Sequence, residues 1–164
     1  MAAKPKTLDD LFHETLKDIY YAENKLTKAL PKMAKAAQSS ELKKAFQKHA
    51  GETTGQVKRL EQIFKLLGKK PQGKVCPAIN GLIKEGQEVM KEFKKSDAHD
   101  AGLLSAAQAV EHYEISRYGT LKTWANELGN AEAAALLEKT LSEEKATDAA
   151  LSGLAENTIN AKAA

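Results

Sequence analysis

Four glutamates stand in two pairs that share one register: Glu114 follows Glu23 by 91 positions, and Glu143 follows Glu52 by the same 91. Within each half, 29 positions separate the two carboxylates, and the midpoints fall at Ala37/Gln38 and Leu128/Gly129, where helix-helix turns are expected. In an antiparallel hairpin, residues equidistant from the turn lie at the same height, so the carboxylates of each hairpin face one another. Two such hairpins enclose room for a pair of metal ions. An oxygen-dominated ligand set suits iron or manganese better than copper or nickel, which prefer more nitrogen.

The apolar pattern then sorts the carboxylates. Glu23 interrupts the stripe Phe12, Leu16, Ile19, Leu26 and Leu30, and Glu114 interrupts Val110, Tyr118 and Leu121, with Glu111 one turn earlier. Farther on, Glu144 and Asp148 fall between Leu137/Leu141 and Leu151, whereas Glu143 sits at the flank of that stripe. The register selects Glu143 and the face selects Glu144. Burial follows the face, so Glu144 is expected inward, the duplication having drifted by one position. The first-half counterpart of Glu144 is Thr53, which leaves Glu52 as the second-helix carboxylate beside His49 and Gln56. The expected metal ligands are Glu23, Glu52, Glu111, Glu114, Glu144, Asp148 and His49. Ionised carboxylates converging in a core cost several kcal/mol each unless neutralised. Protons, lysines or divalent metals can do this, and of the three only a metal pair requires symmetric placement on four helices. The structural alternatives are a buried salt bridge for Glu23 and Glu114, surface exposure for Glu52, Glu111 and Glu144, and a hydrogen-bonded core histidine for His49.

The elements that must position these groups are helices. Apolar residues recur at three and four positions from Leu8 to Met33, with Thr7 and Asp10 spaced as a capping box and Pro31 expected to kink the helix. Ser39 or Ser40 caps a second helix that Gly68 ends, and the Pro- and Gly-bearing stretch from Lys69 to Pro77 is a connection. A shorter helix is expected over Ala78 to Lys94. Ser96 and Asp97 are candidate caps for a fourth helix stopped by Gly129, and Asn130 caps a fifth, after which a small polar tail is expected. The fold read from this is all-α: one domain over 1–164, with its core at about 8–158. It is an antiparallel four-helix bundle of two hairpins with an extra short helix in the crossover.

Composition excludes several classes. The 25 basic residues comprise 23 lysines, with only Arg59 and Arg117, so the net charge of +3 reads as solvated faces rather than a nucleic-acid surface. No apolar run approaches a bilayer span, and Met1 to Lys6 lacks the apolar core of a signal peptide. Cys76 is the single cysteine, which rules out an intrachain disulfide and points to a cytoplasmic protein. Cys76 is expected to pack in the connection, His112 to be a support or surface group, and His13 and His99 to be solvated. Tyr20, Tyr21, Tyr113 and Tyr118 are expected to fill the core, with a hydrogen bond to a carboxylate as the alternative.

Glu111-x-x-Glu114 is similar to rubrerythrin. Tyr21-Ala22-Glu23, the run Thr53 to Phe64, Cys76-Pro77-Ala78 with Gly81-Leu82-Ile83, Val110 to Glu114 and Glu143 to Asp148 carry a closer likeness. Across roughly Leu8 to Ala155 the chain resembles the YciF/YciE family of bacterial stress-associated ferritin-like proteins. That resemblance implies a ferritin-like bundle with an added helix, a homodimer and a dinuclear metal site. Ferritin-like sites usually carry Glu-x-x-His on two helices, whereas here Gly55 follows Glu52 and Ala146 follows Glu143. Two function classes follow. One is a dinuclear iron or manganese protein, an oxidoreductase if it reduces oxygen or peroxide or oxidises iron. The other is a metal-free dimeric scaffold or partner-binding stress protein. No nucleophile-base spacing or Gly-rich phosphate loop supports other catalysis, and neither nucleic acid nor membrane is an expected partner.

Overall fold

Thr7 and Asp10 close the capping box that their spacing predicts: the Asp10 amide donates to Thr7 Oγ1 at 3.3 Å and the Thr7 amide to Asp10 Oδ2 at 2.8 Å. From there the computed structural model, which describes residues 5–164, builds α1 (Leu8–Ala36), α2 (Ser40–Leu66), α3 (Pro77–Glu92), α4 (His99–Glu127) and α5 (Ala131–Leu154). No strand occurs among the described residues. Helix α1 continues through Pro31 to Ala36. Gly68 and Gly129 adopt positive φ, +66° and +71°, the left-handed conformation that stops α2 and α4 at little cost for glycine. Asn130 Oδ1 then accepts the Ala133 amide at 3.1 Å and starts α5.

Helices α1 and α2 pair through the turn at 37–39, α4 and α5 pair through 128–130, and the hairpins meet along α1/α4 and α2/α5. This is the antiparallel bundle expected. Helix α3 lies outside it against α4 and α1. The connection leading to α3 is tied to α1 by the Lys74 amide donating to the Lys17 carbonyl at 3.1 Å, and α3 itself by Tyr21 Oη donating to Asn80 Oδ1 at 3.1 Å. Phe12, Leu16, Ile19, Phe46, Leu60, Leu103, Leu121 and Leu137 fill the core.

Asp100 locks the two hairpins together. Its carboxylate accepts the Gln38 amide at 2.8 Å and the Ser39 amide at 2.6 Å, so a side chain of α4 caps the start of α2. Asp100→Ala is expected to leave both amides unpaired in a half-buried turn and to lower the unfolding free energy by about 1–3 kcal/mol. Urea denaturation measures it, with Asp100→Asn recovering part of the loss.

Three expectations about the elements are corrected. Neither Ser96 nor Asp97 caps α4: the helix starts at His99 without a side-chain cap, and Ser96 Oγ instead donates to the Phe93 carbonyl at 2.8 Å. Helix α3 stops at Glu92, where a turn carrying Lys95 at φ +65° takes over. The C-terminal stretch is helical rather than a loose tail. A π-helical segment, Ala155–Ile159, and a last turn, Asn160–Ala163, extend α5, with Ile159 buried where they meet α4.

Candidate metal centre

Each bundle helix sends at least one acidic or imidazole side chain to the same level of the core. Glu23 comes from α1, His49 from α2, Glu111 and Glu114 from α4 and Glu144 from α5, and all are buried, Glu23, Glu114 and Glu144 at 0% exposure. Ligand-capable atoms of His49, Glu111, Glu114 and Glu144 all lie within 4.8 Å of one another, a group that could hold a metal ion. Glu23 adjoins them, its carboxyl close enough to share a proton with that of Glu114, as Glu111 and Glu144 can between themselves.

Two neutral side chains orient the carboxylates. Tyr118, fully buried, donates its hydroxyl to Glu23 Oε1, and Gln56 donates its amide to Glu144 Oε1. His49 Nε2 stands 3.0 Å from Glu111 Oε1 and 3.9 Å from Glu144 Oε2, neither contact being aligned as a hydrogen bond. No lysine or arginine among the described residues pairs with the four buried carboxylates. Arg59 is engaged by Glu143 and, through Nε at 2.9 Å, by Thr140 Oγ1.

Burial without cations raises the carboxyl groups. Desolvation and then the Glu144 charge push Glu23 up to about 8, while the Tyr118 hydrogen bond pulls the other way. Desolvation lifts Glu111 to about 7 and Glu144 to about 9, and holds Glu114 well above the ordinary carboxylate range with the Glu23 charge adding to it. The Tyr118 hydroxyl is pushed well above its ordinary value by burial and by Glu23, so it remains a donor. Tyr118→Phe removes the hydroxyl donor to Glu23 Oε1 and is expected to destabilise the metal-free chain by about 1–3 kcal/mol, read as a fall in the urea midpoint. An unchanged midpoint would mean that Glu23 takes its proton partner from Glu114 alone.

Two expected ligands stand apart from this group. Glu52 is half-buried, its side chain 24% exposed, with Lys48 Nζ at 2.6 Å and Thr147 Oγ1 at 3.5 Å. Asp148 lies on the α4/α5 seam, where Gln108 Nε2 and His112 Nε2 each approach Oδ1 at 3.2 Å. The register of 91 therefore did not drift. Glu52 and Glu143 both occupy flank positions, 24% and 25% exposed, and each is paired with a cation, Lys48 and Arg59. The inward positions are Thr53 and Glu144, so the halves differ in what they supply.

The remaining side chains divide. His112 is exposed, and Cys76 is buried with Sγ 3.1 Å from Tyr113 Oη. His99 is buried rather than solvated, its Nε2 3.1 Å from the Ala36 carbonyl, because the end of α1 covers the start of α4. The orienting role of Gln56 was not foreseen. Its place three residues before Arg59 on the face that carries His49 and Thr53 was the available signal.

Residues 7–164 match the family described as Domain of unknown function (DUF892). The chain is 47% identical over 159 residues to Protein YciF of Escherichia coli strain K12, covering 96% of each sequence. The crystal structure of the Escherichia coli stress protein YciF is similar at 46% identity with a TM-score of 0.90, over 95% of this chain and 99% of that one. YcfI of Rhodopseudomonas palustris is similar at 47% identity with a TM-score of 0.88, over 93% and 97%. A protein of Xanthomonas campestris at 23% identity shares the fold, with a TM-score of 0.72 over 94% of each chain. Among the described residues, no helix is long and apolar enough to cross a membrane.

Proposed function

The chain belongs to the YciF family, described as a domain of unknown function (DUF892), and on that premise we propose that its bundle core holds a dinuclear iron or manganese site. The observation that carries this is a set of seven buried atoms lacking any hydrogen-bond partner among the described residues. They are Glu23 Oε2, Glu111 Oε2, both Glu114 oxygens, Glu144 Oε2 and both His49 nitrogens. Buried polar atoms are normally paired, and five carboxylate oxygens beside an imidazole that offers one lone pair, with no cation among them, form a ligand set in need of positive charge. The donors present, four carboxylates and one imidazole, fit iron or manganese.

Glu23, Glu111, Glu114, Glu144 and His49 would hold the ions, with Tyr118 and Gln56 fixing the carboxylates of Glu23 and Glu144 so that their second oxygens point inward. Ions held there would supply redox chemistry, electrons passing from the reduced metal to oxygen or peroxide, and a ferrous ion that gives them up would be the iron oxidised. The surrounding Leu, Ile and Phe side chains keep bulk water from the site. One solved relative is described as a stress protein, which suits a part in handling oxidants.

A second reading, a metal-free scaffold, is favoured by Gln56 and Thr147, which stand three residues after the inward positions Thr53 and Glu144, where ferritin-like proteins carry histidines. Elemental analysis separates the two. Protein purified, stripped and incubated with ferrous or manganous ions should retain about two ions per chain after desalting, with a higher melting temperature. Metal content equal to that of an unrelated helical protein, with an unmoved melting temperature, would leave the scaffold reading.

A further inference from the structure

Glu52 is excluded from the buried cluster yet lies against it. Its Oε2 stands 4.0 Å from His49 Nδ1, and the opposite nitrogen of the same ring stands 3.0 Å from Glu111 Oε1. The imidazole thus separates a carboxylate that water reaches, 24% exposed, from one that it does not, 1% exposed. His49 itself is 3% exposed, and neither nitrogen has an aligned hydrogen-bond partner. A neutral imidazole carries one lone pair and one N–H, so His49 can bind a cation through a single nitrogen, and its side chain bridges the exposed carboxylate of Glu52 and the buried one of Glu111.

The counter-ions on this seam differ in kind. Toward Glu143 it is closed by Arg59, whose guanidinium is anchored on both Glu143 and Thr140. At Glu52 the counter-ion is Lys48, 68% exposed, a flexible ammonium that bonds Oε1 only and leaves Oε2 toward His49 and Thr147. Lysine is a compact, hydrated point charge that an incoming divalent ion can displace, whereas a doubly anchored guanidinium is not.

We propose that divalent cations reach the cluster through the α2/α5 seam, with Glu52 as the outer carboxylate that takes them from solvent and His49 as the step to Glu111. This rests on the metal-site reading above and assigns to Glu52 a role in loading rather than in final coordination. Lys48 keeps the outer position occupied until a cation arrives. Asp148, on the other seam and engaged by Gln108 and His112, takes no part.

The test uses metal-stripped full-length chain and cobalt(II), whose visible absorption reports coordination as it forms in a stopped-flow instrument. Glu52→Gln should load about tenfold more slowly, in line with the lower range of electrostatic focusing, while reaching the parent's final cobalt content. Lys48→Met should load faster than the parent, and Asp148→Asn at the parental rate. The gap between parent and Glu52→Gln should narrow as salt is raised, since the exposed carboxylate is screened. Equal rates for parent and Glu52→Gln would overturn the route while leaving the metal site standing. So would a final content in Glu52→Gln as low as in Glu144→Gln, which would make Glu52 a ligand. No cobalt uptake by the parent chain would overturn both.

Discussion

The Glu114→Gln chain is expected to bind little or no iron or manganese and yet, stripped of metal, to be more stable than the parent by on the order of a few kcal/mol at pH 7. The two effects share one cause. Glu114 is fully buried, both of its oxygens lack a donor, and its neighbours include Glu23, Glu111 and Glu144. To fold without metal at neutral pH, its carboxyl must take up a proton that the unfolded chain does not hold, and that uptake costs stability. Glutamine has nearly the same shape, needs no proton and brings its own donor to the neighbouring oxygens, so the cost disappears. The same change removes an anionic ligand from the centre of the site. Elemental analysis and urea denaturation on one preparation read both effects. As a control, Glu85→Gln on the exposed face of α3 should change neither. A Glu114→Gln chain less stable than the parent when metal-free would show that the cluster is satisfied by contacts of its own.

Metal-stripped protein is expected to lose stability as pH rises from about 5 to about 9, and the metal-loaded protein is not. The sign follows from which state holds more protons. Glu23, Glu111 and Glu144 titrate near 4.5 when unfolded and are raised in the folded chain to about 8, 7 and 9. Between those limits the native state binds more protons than the unfolded one, so stability is fully present below the unfolded value. It then falls as pH climbs through the folded values. Each group can contribute up to about 1.4 kcal/mol per pH unit, and the total is less than additive because the carboxyls share protons in pairs. Cations that displace those protons bind more tightly as pH rises, which offsets or reverses the slope. Melting curves across that range, with and without manganese, provide the comparison. A flat profile for the stripped chain would contradict the buried, uncompensated state of the cluster.

Much of the bundle could be read from the chain because its signals are local. The three-and-four spacing of apolar residues, the Thr7/Asp10 box, Gly68 and Gly129 act within one or two helical turns, and the helices follow them. The core carboxylates were visible for a related reason: an acidic residue in the middle of an apolar stripe must be buried if the helix packs at all. The register of 91 was less informative, since it aligned the buried pair Glu23 and Glu114 and the flank pair Glu52 and Glu143 alike and carried no information about which way either faced. Asp148 shows the limit of a one-turn step. Four residues beyond Glu144 the helix has rotated by about 40°, enough to carry the side chain from the core to the α4/α5 seam. Contacts made by distant segments left no local trace. The covering of His99 by the end of α1, the capping of α2 by Asp100 and the helical C-terminal extension over Ile159 all depend on elements 50 or more residues away meeting at one end of the bundle.

Anomalous diffraction at the manganese edge, from crystals of manganese-loaded protein, tests the metal centre most directly. Two peaks are expected in the bundle core, about 3.5–4 Å apart and ringed by Glu23, Glu111, Glu114, Glu144 and His49, with Glu52 and Asp148 outside the ring. A core without peaks in manganese-soaked crystals, or peaks gathered on Glu52 or Asp148 at the surface, would contradict it.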